Sequence, residues 1–317
     1  MDGYLTFLIS IFVSFFVTFF LIPKFIRMLK QEGHVVRDYY KLKETFVPTM
    51  GGLPILMGVL SSLIILQLIF PDVKNLLIFY FVIFIYAVFG LVDDLINVGR
   101  KIKLVAPFFL AFPIALLNLD TNLSLLFIQI ELGIIFSYIV APLYVMVVSN
   151  LINMHSGFNG VSGGTTTILL AFSAIASFIK YGFVGLIYVA PILGAMIAFM
   201  YFNKYPSRIF LGNIGTLMIG GALGGFIIFQ NLEIFGVIIL IPHIINFLMF
   251  VYWKIRGYPH IKFGKVRADG ILEVPNNLTV KWFLPYYYPM TEKKAIVFCY
   301  LFSIISGITG LVYVLLI

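Results

Sequence analysis

Two adjacent carboxylates, Asp93 and Asp94, directly follow an apolar run that ends at Val92. Neighbouring acids at a helix end repel each other unless a cation lies near them, and a divalent metal ion or a proton would relieve that repulsion. A solvated helix boundary would account for the same two residues without any ligand. The pair is therefore a candidate for metal or proton handling.

Several cations follow the acidic pair. The next ten residues contain three of them, Arg100, Lys101 and Lys103, together with the neutral Asn97. Acids and cations together suit a phosphorylated ligand that is held through a metal ion and a lysine. The tendency of lysine and arginine to gather on the cytoplasmic side of membrane proteins explains the cations equally well, but it does not explain the acids. The acidic pair and these cations are accordingly a candidate site for a phosphorylated ligand.

Asparagines and glycines mark the segment 150–164. Asn150 and Asn153 share one face near a predicted helix end. Closely spaced glycines from Gly157 onward would let backbone amides approach a ligand, as phosphate and base sites require. A plain glycine-rich turn is the alternative interpretation.

A third group of polar residues opens a later apolar run. Asn213 and Thr216 would lie at the start of a helix, where free amides and the helix dipole favour anions. Phe210, just before them, could stack on a base, although a single Phe is more often an interfacial aromatic in a membrane protein.

The composition requires these groups to be held by membrane helices. Hydrophobic residues make up 62% of the 317 residues and charged residues only 11%, so there is too little polar surface for a water-soluble globule. Runs of about 20 apolar residues predict spanning helices, and we expect an all-α bundle in one polytopic domain. The ten predicted spans are 4–22, 51–69, 76–92, 104–117, 134–152, 164–178, 183–202, 212–230, 232–253 and 295–317. The run 104–117 is short and contains two prolines, which predicts a kinked or tilted helix.

The distribution of charge predicts the orientation. Nineteen of the 21 lysines and arginines fall in loops after odd-numbered spans, and only Lys74 and Lys180 fall on the other side. This asymmetry predicts a cytoplasmic working face with both termini outside. It also explains the net charge of +8 without nucleic acid. The first apolar run is long enough to remain as a span rather than a removable signal peptide, and the lone Cys299 excludes a disulfide within the chain.

Two predicted loops have sequence patterns that are typical of β-strands. Residues 122–131 predict either a short outer strand or the start of the fifth helix. Residues 257–275 predict a small hairpin on the cytoplasmic side, because Asp269-Gly270 separates two short apolar stretches.

Taken together, the motifs resemble one family. The Asp93–Asp94 motif with Asn97 and Lys103, and the Asn-x-x-Asn run that ends in Gly-Phe-Asn-Gly at Gly160, are similar to those of the polyprenyl-phosphate N-acetylhexosamine-1-phosphate transferases (glycosyltransferase family 4). Residues 48–52, Pro-Thr-Met-Gly-Gly, look like the opening motif of the bacterial phospho-N-acetylmuramoyl-pentapeptide transferases. Asp38 and Lys41 resemble an Asp-x-x-Lys motif of the dolichyl-phosphate branch.

The resemblance implies a function and a set of site residues. It implies transfer of an N-acetylhexosamine 1-phosphate, N-acetylglucosamine 1-phosphate above all, from a UDP-sugar to a polyprenyl or dolichyl phosphate, with release of UMP. It implies that Asp93, Asp94 and Lys103 are the catalytic residues, and that Mg²⁺, with Mn²⁺ as a substitute, is held by Asn153 and Asn213, with Lys103 on the same donor phosphates. The remaining residues are assigned to substrate binding. They are Asp38, Lys41, Asn97, Asn150, Gly157, Asn159, Phe210, His260 and Lys262, of which Gly157, Asn159 and Phe210 would bind uridine, and His260 and Lys262 the sugar and diphosphate.

One departure from the family pattern bears on activity. The family usually has Gly-Asp where this chain has Gly212-Asn213, and a neutral amide oxygen should weaken a magnesium site. Either Asp93 or Asp94 supplies the missing charge, or the chain is an impaired, scaffold-like relative.

Alternative interpretations of the sequence concern the class of protein and the identity of the sugar donor. A transporter is the alternative from another class, but no charged residue lies centrally in a predicted span. The Gly-Phe-Asn-Gly motif favours an archaeal-type enzyme of glycan assembly, whereas the opening motif favours a phospho-N-acetylmuramoyl-peptide donor. The expected partners are the UDP-sugar, the carrier lipid and the cell membrane, with a homodimer as an option.

Overall fold

The computed structural model describes residues 3–69, 74–117, 119–125, 128–259 and 261–316. Helices account for most of them, as the apolar composition predicts. The helices are α1 (Gly3–Gln31), α2 (Gly52–Ile69), α3 (Lys74–Ile96), α4 (Arg100–Leu110), α5 (Ala141–Met154), α6 (Val161–Tyr181), α7 (Phe183–Leu186), α8 (Ala190–Asn203), α9 (Gly212–Phe229), α10 (Glu233–Ile239), α11 (Ile241–Ile255), α12 (Val280–Tyr287) and α13 (Glu292–Leu316). A 3₁₀ turn, Phe112–Leu116, follows α4, and a π-helical turn, Phe136–Val140, leads into α5.

The number of helices that can cross a membrane is smaller than the ten predicted spans. Within the described residues, seven helices are long and apolar enough, and there are eight if the pair α10–α11, bent by 64°, counts as one span. Pro242 lies in the first turn of α11 and has no N–H to continue the ladder of α10, which accounts for the bend. The predicted spans 104–117 and 183–202 are interrupted, and their longest helices have 11 and 14 residues.

Helix α9 forms the centre of the bundle and is largely buried between α3 and α5. Its glycines allow this close contact, since a Cβ at Gly220 would stand only 2.6 Å from the Cα atom of Ser149 in α5. Small residues at such interfaces let membrane helices approach and pack. The packing fixes the first turn of α9 beside the last turns of α3 and α5.

Helix α1 packs against α2 and α8 through a stripe of buried polar residues. Thr6, Ser10, Ser14 and Thr18 follow one another at four-residue spacing and are fully buried. Ser62 of α2 donates a hydrogen bond to the Ser10 carbonyl at 3.0 Å. These small hydroxyl side chains allow close helix contact and satisfy their own polar groups within the bundle.

Among the described residues, three short antiparallel strand pairs join the helices. The first pairs β1 (Val35–Asp38) with β2 (Thr45–Pro48) and was not predicted. The second pairs β3 (Asn122–Leu125) with β4 (Ile128–Glu131), so these two stretches are strands rather than the start of the fifth helix. The third pairs β5 (Lys265–Val266) with β6 (Leu272–Glu273), which confirms a hairpin between residues 257 and 275.

The chain crosses the bundle back and forth, so the candidate motifs meet at one end of it. The last turns of α1, α3, α5, α8 and α11 lie at this end, and so do the first turns of α2, α6, α9 and α13. The β1–β2 and β5–β6 hairpins cover the same end. The loops between these elements therefore form a single polar surface.

Candidate active site

Asp94 joins the end of α3 to the start of α9. Its Oδ1 accepts a hydrogen bond from the Asn213 backbone N–H at 2.8 Å, and its Oδ2 accepts one from the Ile214 N–H at 2.9 Å. A carboxylate in this position caps the helix and interacts favourably with its dipole. Gly212 has a φ of +70°, and a Cβ there would lie 2.6 Å from Asp94 Oδ2, so this connection requires glycine.

Lys103 bridges the second carboxylate and the first polar side chain of α9. Its Nζ lies 2.5 Å from Asp93 Oδ2 and donates a hydrogen bond to Asn213 Oδ1 at 2.6 Å. The Asp93 side chain is only 2% exposed, whereas that of Lys103 is 23% exposed. A buried carboxylate thus holds the ammonium group of a side chain that is still partly exposed to solvent.

Asn153 completes this polar cluster from the end of α5. Its Oδ1 accepts a hydrogen bond from the Thr216 hydroxyl at 2.7 Å, one turn after Asn213 in α9. Thr216 belonged to the third sequence motif, but the spacing did not predict that it contacts Asn153. Asn153 and Asn213 are therefore on neighbouring elements, as the resemblance requires.

The donor atoms of this cluster fit a hard cation. Asn153 and Asn213 offer amide oxygens and Asp94 offers carboxylate oxygens, which are the ligand types of Mg²⁺. Among the described residues there is no group of three or more His, Cys, Asp or Glu side chains that could form a metal cage. An ion here would depend on substrate phosphates for its remaining ligands, as is common for magnesium.

A cavity of about 690 Å³ opens beside the cluster. One part is lined by the polar groups of Asp94, Asn153, Asn213 and Thr216. Its other lining residues come mainly from β1, the loop after α5, the loop before α9 and the segment between α11 and α13. They include Asp38, Gly157, Phe158, Phe210, Lys262, Phe263, Lys281 and Trp282. The cavity therefore combines an oxygen-rich part with aromatic and cationic walls.

Lys281 is a cation in this wall that the motifs did not indicate. Its ammonium donates a hydrogen bond to the Ser156 carbonyl at 2.7 Å and lies 5.2 Å from the Trp282 ring centroid. Burial lowers the pKa of Lys281 to about 8. Among the described residues, no carboxylate is within salt-bridge distance of it. An unpaired, partly buried ammonium is costly, so an anionic ligand would be favoured here.

Four of the predicted substrate-binding residues line the cavity: Asp38, Gly157, Phe210 and Lys262. Gly157 has a φ of +123°, and a Cβ there would collide with the Lys281 ammonium. The Phe210 backbone is fixed by hydrogen bonds of 2.8 Å to the Pro48 carbonyl and from the Gly51 N–H. Because these bonds join the loop before α9 to the start of α2, Phe210 is held at a defined place in the wall.

Other predicted residues lie outside the cavity wall that the structure describes. Asn97 has a φ of +52° and ends α3 on an exposed turn. Asn150 donates to the carbonyls of Met146 and Leu104, which ties α5 to α4. His260 lies outside the described residues.

Lys41 and Asn159 lie behind the wall in a buried network with Asp38 and Glu292. Lys41 Nζ lies 3.1 Å from Asp38 Oδ2 and 2.7 Å from Glu292 Oε2. Burial opposes the charge of Lys41, but the two carboxylates outweigh it and raise its pKa. Glu292 was missed because its partners are far away in the sequence.

Known proteins resemble this chain over most of its length. A model of glycosyl transferase family 4 matches residues 76–231. A Saccharolobus solfataricus protein, provisionally named UDP-N-acetylglucosamine–dolichyl-phosphate N-acetylglucosaminephosphotransferase, is 30% identical over 87% of each chain. A Sulfolobus acidocaldarius protein of the same name is 28% identical over 86% of each chain. The phospho-N-acetylmuramoyl-pentapeptide-transferase of Halalkalibacterium halodurans is 30% identical over 79% of this chain and 84% of its own. The chain belongs to glycosyl transferase family 4.

This family 4 member is a multi-pass membrane transferase, and the resemblance inferred from its motifs is confirmed. The segment matched by the family model contains both acids of the Asp93–Asp94 pair, Lys103 and Asn213. Lys281 and the residues Asp38, Lys41 and Glu292 lie outside that segment. The sequence motifs indicated Asp38 and Lys41, whereas the contributions of Lys281 and Glu292 are visible only in the fold.

Proposed function

We propose that this transferase moves N-acetylglucosamine 1-phosphate from a UDP-sugar to a polyprenyl or dolichyl phosphate and releases UMP. The observation that carries the proposal is the Lys103 ammonium between Asp93 and Asn213, 2.5 and 2.6 Å from their oxygens, beside a cavity lined by aromatic and cationic residues. Such a centre suits a reaction between two phosphates at the surface of a membrane.

The names of the relatives support two donors. The archaeal relatives are named for UDP-N-acetylglucosamine and dolichyl phosphate, and they match this chain over more of its length than the bacterial transferase does. N-acetylglucosamine is therefore the first candidate. A phospho-N-acetylmuramoyl-peptide donor is the second, because the bacterial relative is equally similar in sequence identity.

In the proposed reaction, an oxygen of the lipid phosphate attacks the phosphorus that bears the sugar. A bond from that oxygen to phosphorus forms, and the bond from phosphorus to the bridging oxygen of UMP breaks. A phosphate monoester has a second pKa of about 6 and is largely dianionic at neutral pH, so the nucleophile needs no strong base. UMP leaves with the bridging oxygen and its electron pair, and the number of charges on the two products equals that on the two substrates.

Repulsion between the two phosphates is then the main barrier, and the cations of the site would lower it. Lys103 is assigned to the diphosphate, where it stabilises charge that moves onto the leaving UMP. Asp93 keeps the Lys103 ammonium in place. Asp94 positions the first turn of α9, since both its oxygens accept backbone hydrogen bonds from it.

Asn153 and Asn213 are the residues proposed to hold Mg²⁺, or Mn²⁺ in its place, with Asp94 as the nearest source of negative charge. When bound, the ion would neutralise phosphate oxygens of the donor. The oxygen-only donor set supports this assignment. The replacement of the usual family aspartate by Asn213 predicts a weaker site rather than a lost one.

The rest of the cavity is assigned to the nucleoside and the sugar. Gly157 and Phe210 would contact uridine, with Phe210 available to stack on the base. Lys281 and Lys262 would bind anionic or hydroxyl groups of the donor, and Lys281 is favoured because no carboxylate in the described part of the chain pairs with its charge. His260, two residues before Lys262, is also proposed to bind the sugar and diphosphate, as the resemblance implies.

The same polar end of the bundle is proposed to face the cytoplasm, where a UDP-sugar would be available. Nineteen of the 21 lysines and arginines lie in the loops of that side by the alternation of the predicted spans. The ten-span topology, in which the interrupted segments 104–117, 183–202 and 232–253 would also cross the membrane, and a homodimer are part of this proposal.

The test is lipid-dependent release of UMP. Purified protein would be incubated with UDP-N-acetylglucosamine, a polyprenyl or dolichyl phosphate and Mg²⁺, and parallel reactions would contain UDP-N-acetylmuramoyl-pentapeptide. UMP that appears only when lipid phosphate and metal are both present supports the proposal, and the faster donor identifies the branch. Passage of substrate across vesicles without UMP release would favour a transporter instead.

A further inference from the structure

A buried charged network lies behind the cavity wall and connects three parts of the chain. Glu292, the first residue of α13, has a side chain that is only 3% exposed. Its Oε1 accepts hydrogen bonds from both the backbone N–H and the Nδ2 of Asn159, each at 2.8 Å. Its Oε2 accepts a hydrogen bond from Lys41 Nζ at 2.7 Å. One carboxylate therefore links α13 to the loop after α5 and to the segment after β1.

Asn159 extends this network to the loop before α9. Its Nδ2 also donates to Asp38 Oδ2 at 3.0 Å, and its Oδ1 accepts a hydrogen bond from the Ser207 backbone N–H at 2.7 Å. Every polar atom of the Asn159 side chain is thus bonded within the protein, and the residue is 1% exposed. These bonds favour a role in holding loops over a direct contact with a nucleotide.

The two loops held in this way carry the proposed nucleoside contacts. Gly157 lies two residues before Asn159, and Phe210 lies three residues after Ser207; both line the cavity. Within the described part of the chain, Glu292 does not line the cavity itself. Any effect of Glu292 on the substrate must therefore pass through the groups that its network holds, which are the two loops and Asp38.

The network is charged in a way that makes Glu292 hard to replace. Two buried carboxylates, Asp38 and Glu292, share the single ammonium of Lys41. Hydrogen bonds to an ionised carboxylate are stronger and more directional than those to a neutral amide. A buried polar network in which every member is satisfied also rigidifies the elements that it joins.

We propose that Glu292 is a positioning residue for the nucleotide site: it holds the Gly157 and Phe210 loops at the spacing that binds the uridine part of the donor. Lys41 and Asn159, assigned to substrate binding from the sequence, act in this network rather than on the substrate. The inference rests on the proposed function only in its choice of a uridine nucleotide as ligand.

The test is binding of UMP, which needs no turnover, together with steady-state kinetics. Glu292→Gln keeps the size of the side chain but removes its charge, so hydrogen bonds to a charged group become bonds to a neutral one. We expect UMP binding to weaken by about five- to tenfold and the KM for the UDP-sugar to rise by the same factor. The kcat and the KM for the lipid phosphate should stay close to those of the wild type.

The matched control is Glu273→Gln, which removes a glutamate charge from an exposed position in β6 and should bind UMP like the wild type. Glu292→Asp retains the charge with a shorter reach and should recover part of the affinity. If Glu292→Gln does not fold, Glu292→Asp becomes the deciding variant, and its UMP affinity should then lie below that of the wild type.

Two results would overturn the proposal. One is a Glu292 variant that is folded and binds UMP as tightly as the wild type. The other is a loss that affects the KM values of both substrates and kcat alike, which would indicate a general structural role. Failure of the proposed function looks different, since the wild type would then bind UMP without forming any lipid product.

Discussion

Replacement of Lys103 by methionine removes the ammonium group between Asp93 and Asn213 while keeping an unbranched side chain of similar length. In the structure this ammonium lies 2.5 Å from a carboxylate oxygen and 2.6 Å from an amide oxygen. Lys103→Met therefore removes positive charge from the centre where two phosphates are proposed to meet. The backbone hydrogen bonds of Asp94 to the first turn of α9 should remain.

Two effects of this variant can be estimated separately. Loss of one group that stabilises charge in a transition state costs about 2.7–4 kcal/mol, or about 10²- to 10³-fold in kcat. Loss of stability arises because Asp93 is left buried without its partner, and breaking a fully buried ion pair costs about 3–5 kcal/mol. Since the Lys103 side chain is 23% exposed, the pair is not fully buried, and the loss should be at or below the lower end of that range.

The assay compares Lys103→Met with the double variant Asp93→Asn/Lys103→Met, using UMP release for kcat and thermal unfolding in detergent for stability. The double variant should regain most of the lost stability, because no unpaired carboxylate remains, but its kcat should stay low. If kcat of Lys103→Met falls by less than about tenfold while only the KM rises, Lys103 contributes to ground-state binding alone, and the role assigned to it here is wrong.

The remaining predictions concern the metal, the loop and pH. Asn213→Asp should reduce the Mg²⁺ concentration needed for half-maximal UMP release, because a carboxylate replaces a neutral amide oxygen; an unchanged or higher requirement in a metal titration would contradict the assigned ligand. Gly157→Ala should raise the donor KM by more than about tenfold, because a φ of +123° disfavours any residue with a Cβ atom and the methyl group would displace the Lys281 ammonium from the cavity wall; Gly133→Ala, also at positive φ but in open space, is the control for a methyl group that displaces nothing. The Lys281 pKa of about 8 lies below the usual value of about 10.4, so the residue is charged below pH 8 and loses its charge as the pH rises above 8. Donor KM should therefore increase between pH 7 and pH 9, and Lys281→Arg, which stays charged, should show a smaller increase.

The general architecture and the centre of the site follow from the sequence for a physical reason. Apolar runs long enough to span lipid must be helices, and alternation of their direction brings the ends of α3 and α5 and the start of α9 to one side. Asp93, Lys103, Asn153 and Asn213 therefore had to lie at the same end of the bundle, and the packing of α3 and α5 against α9 brings them together. Their direct contacts, such as Thr216 to Asn153, depend on side-chain geometry that spacing does not specify.

Interruptions within apolar runs were harder to predict. The residues between α7 and α8 and between α10 and α11 are as apolar as the helices themselves, so hydropathy cannot reveal a break. Pro191 and Pro242, in the first turns of α8 and α11, were the available signals. The β1–β2 hairpin has no Asn-Gly or Asp-Gly turn, which is the usual short-range indication of a hairpin.

The buried network was beyond sequence reasoning, because its hydrogen bonds join residues up to 251 positions apart. In the sequence, Glu292 is an ordinary first residue of a helix, where the helix dipole stabilises a carboxylate. From its position in the sequence, Lys281 is one more basic residue in a loop near a membrane boundary. Only the packing of α12 and α13 against the loop after α5 reveals what these two side chains contact.

The central claim is that a sugar phosphate, and not the sugar alone, is transferred. The most direct test uses UDP-N-acetylglucosamine labelled with ³²P in the phosphate that bears the sugar, together with polyprenyl phosphate and Mg²⁺. The account predicts that the label moves into the lipid while unlabelled UMP is released. If the label stays in a water-soluble UDP while the sugar enters the lipid, the bond that breaks is the glycosidic one, and the roles given to Lys103 and its neighbours are wrong.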